Sequence, residues 1–297
     1  MRVIVAMMCA ALAAGCAAQP DRQAEESSRP PEALASGVPF HPQAGFRCGP
    51  AAMASMLGWS GIAVAPEALE GRFYGDSPDP RTRLEETAAT YGRLAYPVAG
   101  TEQMLTELAA GHPVLILENL GVASQPLWNC TVAVGYQDGG AIVLVNSGAQ
   151  SARPKPRRLL ERLWAETDDW GLVVLRPGEM PATASEAGMV AASRGLAQAG
   201  RTWEAVLAFD AVLSQWPNDA DALMGLGAGL YLLGDARGAA DAYRSAATAA
   251  KDPAPALDAL AHVQAELNRA GHDDLASVPH RALPKTPLEI SDKVQEN

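Results

Sequence analysis

The stretch Pro39-Phe40-His41-Pro42-Gln43-Ala44-Gly45-Phe46-Arg47-Cys48-Gly49-Pro50-Ala51-Ala52 decides how this chain is read. It runs into Met53, Ala54, Met56 and Leu57, an apolar series closed by Gly58, which predicts a helix over Gly49–Trp59. Pro50 suits the first helical turn, where its missing N–H costs nothing. Cys48 therefore opens a helix, and the partial positive charge of a helix start favours thiolate. Gly49 leaves room beside it for a substrate backbone. Gln43, five residues upstream, is spaced to turn its amide N–H toward an oxyanion formed at Cys48. A free Cys is most often a small core residue. The residues around Cys48 argue instead for a position derived from a site.

Beyond this helix the pattern stays helical and then changes. Pro66–Leu69 starts a second helix, Leu84–Tyr91 is a third, and Met104–Ala110, stopped by Gly111, is a fourth. Val114–Leu117, Thr131–Tyr136 and Ala141–Val145 read as strands, and Gln137-Asp138-Gly139-Gly140 as the hairpin turn between the last two. Leu172–Leu175 is expected to close the sheet. Helices followed by antiparallel strands make an α+β domain over residues 38–176. The Pro-broken basic run Arg153–Arg158 reads as a solvated loop.

Residues 177–187 are rich in Pro, Ala and small polar residues and read as a linker. The part after it repeats. Gly200, Ala205 and Phe209 return 34 residues later as Gly234, Ala239 and Tyr243, and Pro217 and Pro253 end the two units. This spacing is similar to the tetratricopeptide pattern, an all-α array in which the small residue lets two helices approach and the aromatic fills the gap between repeats. The array is expected over residues 188–271, with Ala256–Leu267 as the first helix of an incomplete third repeat and 272–297 as a polar tail.

The N-terminus bears on the compartment. Arg2 is the only charge before Asp21, and Val3–Ala14 has the length of a signal-peptide core and is too short for a membrane span. It ends Leu12-Ala13-Ala14-Gly15-Cys16, which resembles a lipobox. Residues 1–15 are thus expected to be a lipoprotein signal peptide, Cys16 the lipidated residue and 16–37 a tether. Simple secretion with cleavage after Ala14 or Ala18 is the other reading. Ala17, where an Asp would favour inner-membrane retention, implies by resemblance to Gram-negative lipoproteins an outer-membrane anchor facing the periplasm.

Taken together, the lipobox, the Gln-x4-Cys-Gly-Pro-Ala-Ala run, the strand ending Gly135-Tyr136 and the repeats resemble the bacteriocin-processing (double-glycine) peptidase family. The closest resemblance is to a lipoprotein subgroup in which that domain precedes tetratricopeptide repeats. The resemblance implies a papain-like cysteine peptidase fold with Cys48 as nucleophile and Gln43 in the oxyanion hole. It also implies a His base on a central strand, oriented by an Asp or Asn on the next. The base is where this chain departs. Counting back from Gly135-Tyr136 puts Asn129 at the place of the family His, and the orienting position falls near Asn146 or Ser147. His41, His112, His262, His272 and His280 do not replace it by spacing. Without a base the thiol is mostly protonated at neutral pH and the leaving amine loses its acid, which in triad enzymes costs about 10⁴–10⁶ in rate.

The function expected is that of an anchored thiol peptidase impaired at its base. The alternative is an inactive pseudo-peptidase that binds a peptide or protein in its cleft and a protein partner on its repeats. The resemblance implies that Asn129 faces Cys48, and side-chain alternation then turns Cys130 away, so that the two thiols do not bridge. Asn129→His is then expected to restore some turnover. A formal net charge of -11 argues against nucleic acid. The absence of a Cys-x-x-Cys or a His cluster gives no support to a metal or other cofactor.

Overall fold

The computed structural model describes residues 29–42, 48–73, 79–122, 124, 125 and 127–269. The signal peptide, Cys16, Gln43 and the polar tail lie outside these residues. The chain divides into two compact units near residue 180, and residues 181–184 belong to the first.

The first unit is a mixed helix and antiparallel-sheet domain. Its strands are β1 (Ala33–Leu34), β2 (Leu94–Ala99), β3 (Val114–Asn119), β4 (Trp128–Gln137), β5 (Ile142–Ser147), β6 (Gln150–Pro156) and β7 (Trp170–Leu175). They lie in the order β2-β7-β3-β4-β5-β6, with β1 added to β4, and every pairing is antiparallel. The near-continuous apolar runs of β3 and β7 follow from their inner positions, where both faces are buried. β7 does not close the sheet as an edge. It sits between β2 and β3, because the additional strand Leu94–Ala99, interrupted by Pro97, takes the outer place.

Helix α1 (Cys48–Trp59) is buried on all sides from Cys48 to Leu57, as its uniformly apolar composition requires. It packs on a stripe made by Leu115 and Leu117 of β3, Cys130, Val132 and Val134 of β4, and Leu172 and Val174 of β7. Helices α2 (Pro66–Phe73) and α3 (Pro80–Thr90) bring Leu69, Leu84 and Ala88 to the same cluster. Helices α4 (Gly100–Ala109) and α5 (Arg157–Trp164) also lie on the sheet, with Met104, Leu105, Leu108, Leu160 and Trp164 buried outside that cluster.

The basic run is not a solvated loop. Residues 150–156 form the edge strand β6, and Arg157 begins α5. Pro154 and Pro156 are tolerated there because an edge strand has one side free of ladder bonds. Lys155 turns inward and pairs with the buried Glu118.

The Gly135-Tyr136 pair receives β1. Gly135 lies opposite Leu34, and a Cβ on it would come within 2.3 Å of the Ala33 carbonyl oxygen. Tyr136 donates its hydroxyl to the Pro30 carbonyl at 3.0 Å.

The second unit comprises, among the described residues, α6 (Glu186–Gln198), α7 (Thr202–Gln215), α8 (Ala220–Leu232), α9 (Ala236–Ala249) and α10 (Ala254–Arg269), each packed on the next. Ser185, Asp219 and Asp235 cap α6, α8 and α9 through their side-chain oxygens. The 34-residue repeat has a structural counterpart. Gly200 and Gly234 take left-handed φ values of 74° and 84° after α6 and α8. Ala205, Ala239, Phe209 and Tyr243 are buried, and the two rings lie on the glycines of α8: Phe209 against Gly225, Tyr243 against Gly227. Among the described residues no helix is long and apolar enough to cross a membrane.

Candidate active site

Cys48 is the first residue of α1, and its thiol points at strand β4. Sγ lies 3.9 Å from the Trp128 carbonyl oxygen. The group that matters most to it is the Cys130 thiol, which hydrogen-bonds it. That bond is the largest cause of a Cys48 pKa lowered to about 7; burial opposes it, and the backbone amides of Cys130, Cys48 and Gly49 assist. The helix start thus contributes to the thiolate, but less than the neighbouring thiol. Cys130 moves the other way. Its hydrogen bond to Cys48, its burial and the negative charges of Cys48 and Glu118 push its pKa well up. The pair is therefore asymmetric, with Cys48 the more acidic thiol and Cys130 the less acidic one.

Two expectations are corrected here. Asn129 does not face Cys48, and Cys130 does not face away. Counting back from Gly135-Tyr136 assumes a regular strand, but β4 carries a bulge between Ala133 and Gly135. One extra residue reverses the face of every side chain before it. Cys130, Val132 and Val134 consequently belong to the α1 cluster, and a second thiol stands on the face of β4 turned to Cys48.

Asn129 joins a polar cluster on the other face. Its amide donates to the Thr131 hydroxyl at 2.9 Å, to Glu118 Oε2 at 3.3 Å and to the Ser147 hydroxyl at 3.4 Å. Thr131 donates to Glu118 Oε2 at 2.6 Å, and Lys155 Nζ bonds Glu118 Oε1. Glu118 and Thr131 are fully buried, so this network satisfies a carboxylate that would otherwise be costly to hold there. Asn146 lies opposite Val132, on the face of Cys130, but its carbonyl oxygen is occupied. It accepts from the Ser151 hydroxyl at 3.0 Å and from the Ala152 N–H at 2.8 Å, bracing the β5–β6 turn.

Gly49 is not left open for a substrate. A Cβ there would meet the Phe73 ring at 2.8 Å, so the glycine admits an aromatic from α2. Among the described residues, the polar groups meeting the Cys48 thiol include no imidazole. His112 pairs with Glu107 at 2.7 Å and packs edge-on against Trp59, the last residue of α1, about 16 Å along the helix from Cys48. His41 precedes α1 and makes no hydrogen bond to Cys48, and His262 belongs to the second unit. No group of three or more His, Cys, Asp or Glu side chains among the described residues could hold a metal ion.

Sequence reasoning passed over the β3–β4 connection. Asn119 Oδ1 accepts from the N–H groups of Gly121 and Leu127, both at 2.9 Å, and holds the turn. Leu120, Val122, Leu127 and Trp128 are all exposed along it, and Trp128 supplies the carbonyl at the Cys48 thiol. The signal was the apolar content of a loop.

No protein-family model matches the chain, and no curated protein matches it. A solved structure from Bacillus anthracis, described as a "putative C39-like peptidase", aligns over 49% of this chain and 98% of its own, at 19% identity and a TM-score of 0.41.

Proposed function

We propose that the first unit is a papain-like domain that binds an extended peptide without hydrolysing it, on a chain anchored to the cell envelope through Cys16. The repeats take a second protein. The observation that carries this reading is the thiol at position 130 facing Cys48, where a peptidase needs an imidazole. Peptide hydrolysis asks two things of the base. It must withdraw the thiol proton, and it must return a proton to the leaving amine. The first need is met in part, since Cys48 is already acidic. The second is not, because Cys130, its pKa raised, is a far weaker acid than imidazolium. Such a site can be acylated by a reactive ester, whose leaving group needs no proton, and then stall.

The exposed Leu120, Val122, Leu127 and Trp128 support binding, because they lie along the connection whose Trp128 carbonyl meets the Cys48 thiol, and exposed apolar side chains gathered on one turn suit recognition. The test is fluorescence anisotropy with a library of labelled, extended apolar peptides, for the natural chain and for Trp128→Ser. Saturable binding that weakens in the variant is the expected result. Absence of binding across the library, or binding indifferent to Trp128, would remove the support of the hairpin. The anchor is tested separately: incorporation of labelled palmitate that is lost in Cys16→Ser is expected, and a mature chain cleaved after Ala14 or Ala18 without lipid would contradict it.

A further inference from the structure

We propose that Cys48 and Cys130 form a two-thiol redox site whose substrate is a small peroxide, and that its product is a reversible Cys48–Cys130 disulfide. Four observations carry this. Both cysteines are free and buried in one cluster, and each thiol perturbs the other's ionisation. The contact is built by the fold: Cys48 heads α1 with its sulfur at the Trp128 carbonyl, and Cys130 stands two residues further along the same strand, on the same face. Thiols that face each other from adjacent elements need little backbone movement to bond. The surroundings are apolar, with Ala52, Leu117 and Trp170 in the same cluster, so the thiols have each other as chemical partners. Finally, both are buried, so the pair is matched to a small oxidant rather than to a bulky disulfide-bearing protein.

The chemistry balances with peroxide as the two-electron oxidant. The Cys48 thiolate attacks one peroxide oxygen; an S–O bond forms, the O–O bond breaks, and hydroxide leaves and takes up a proton as water. Cys48 is now a sulfenic acid. Cys130 gives up its proton and attacks the Cys48 sulfur; the S–S bond forms, the S–O bond breaks, and the hydroxyl leaves with that proton as a second water. Two thiols have been oxidised to one disulfide and one peroxide reduced to two waters. A dithiol reductant reverses the bond by exchange. The roles follow the asymmetry of the site: Cys48, the more acidic thiol, attacks the peroxide first, and Cys130, its neighbour in the cluster, is placed to resolve. Closing the bond removes Cys48 as a nucleophile and ties the start of α1 to β4. The inference stands apart from peptide binding, since it concerns the two sulfurs alone.

The test is peptide mapping without reductant of the purified natural chain after limited hydrogen peroxide and an alkylating quench. The expected result is a Cys48–Cys130 linked peptide, loss of Cys48 alkylation, and return of that alkylation with dithiothreitol. In Cys130→Ala, or Cys130→Ser if the first variant folds poorly, Cys48 should instead stop at the sulfenic acid and be trapped by dimedone. Two results would overturn the proposal: peroxide leaving both cysteines alkylatable in the folded natural chain, or Cys48 passing to sulfinic acid while Cys130 stays free. The natural-chain mapping decides the matter without either variant.

Discussion

Cys130 of β4 and Cys48 at the start of α1 lie in one buried cluster, and each thiol shifts the ionisation of the other. This contact sets the chemistry of the site. It makes one sulfur acidic and the other reluctant to ionise.

The first prediction concerns that acidity. The rate of Cys48 alkylation by iodoacetamide should rise with pH through a midpoint of about 7, because the lowered pKa makes thiolate available there. Cys130→Ala removes the largest cause of the lowering. The midpoint should move up toward the ordinary thiol value of 9.0. At neutral pH the first unit of that movement slows alkylation about fivefold and the next about tenfold. An unchanged midpoint in the variant would assign the acidity to the helix start instead.

Much of the architecture was legible because local composition and tertiary role agree. Residues 49–57 are apolar on every side, and the helix they form is buried on every side. Phe209 and Tyr243, 34 residues apart, both end up against glycines of one helix. The register of β4 was not legible from the Gly135-Tyr136 count, since a bulge leaves no mark in a count of residues. The correct face was nevertheless written in the polarity. An apolar helix needs Cys130, Val132 and Val134 beneath it, and Asn129 and Thr131 must then go to the other side. β6 was hidden by Pro154 and Pro156, residues that argue against a strand except at an edge. The role of Gly49 was hidden because its neighbour Phe73 is distant in sequence.

The buried ion pair gives a second prediction. Lys155→Met should destabilise the first unit by about 3–5 kcal/mol, the cost of leaving a buried carboxylate without its cation. The double change Glu118→Gln with Lys155→Met should recover part of that loss. Urea melts of the three forms read it. A single variant as stable as the natural chain would mean that Thr131 and Asn129 alone satisfy Glu118.

Gly135→Ala tests the seat of β1. Its new Cβ would press on the Ala33 carbonyl, backbone against which nothing yields easily. A cost of about 1–3 kcal/mol is expected, or release of residues 33–34 from β4, seen as new protease sensitivity near residue 33. Unaltered stability and unaltered cleavage together would contradict the pairing.

Glu107 supplies a pH dependence. Burial alone would raise its pKa, but hydrogen bonds from His112, from the Thr183 hydroxyl and from the N–H groups of Thr183 and Ala182 hold it below 4.5. A carboxylate lowered by folding stabilises the fold above its unfolded pKa and withdraws that stability as pH falls through the folded value. The first unit should therefore lose stability below about pH 4.5, and Glu107→Gln should flatten that part of the profile. An equal slope in both forms would place the acid sensitivity elsewhere.

The most direct measurement compares peptide-library hydrolysis by four forms side by side: the natural chain, Cys48→Ala, Asn129→His and Cys130→His. The natural chain is predicted to show no cleavage that depends on Cys48. Asn129→His should gain nothing, because its ring would enter the Glu118 cluster on the far face. Cys130→His should bring an imidazole to Cys48 and raise turnover, with general acid–base catalysis worth about 10²–10⁴. Cleavage by the natural chain that vanishes in Cys48→Ala, or a gain in Asn129→His and none in Cys130→His, would contradict the account.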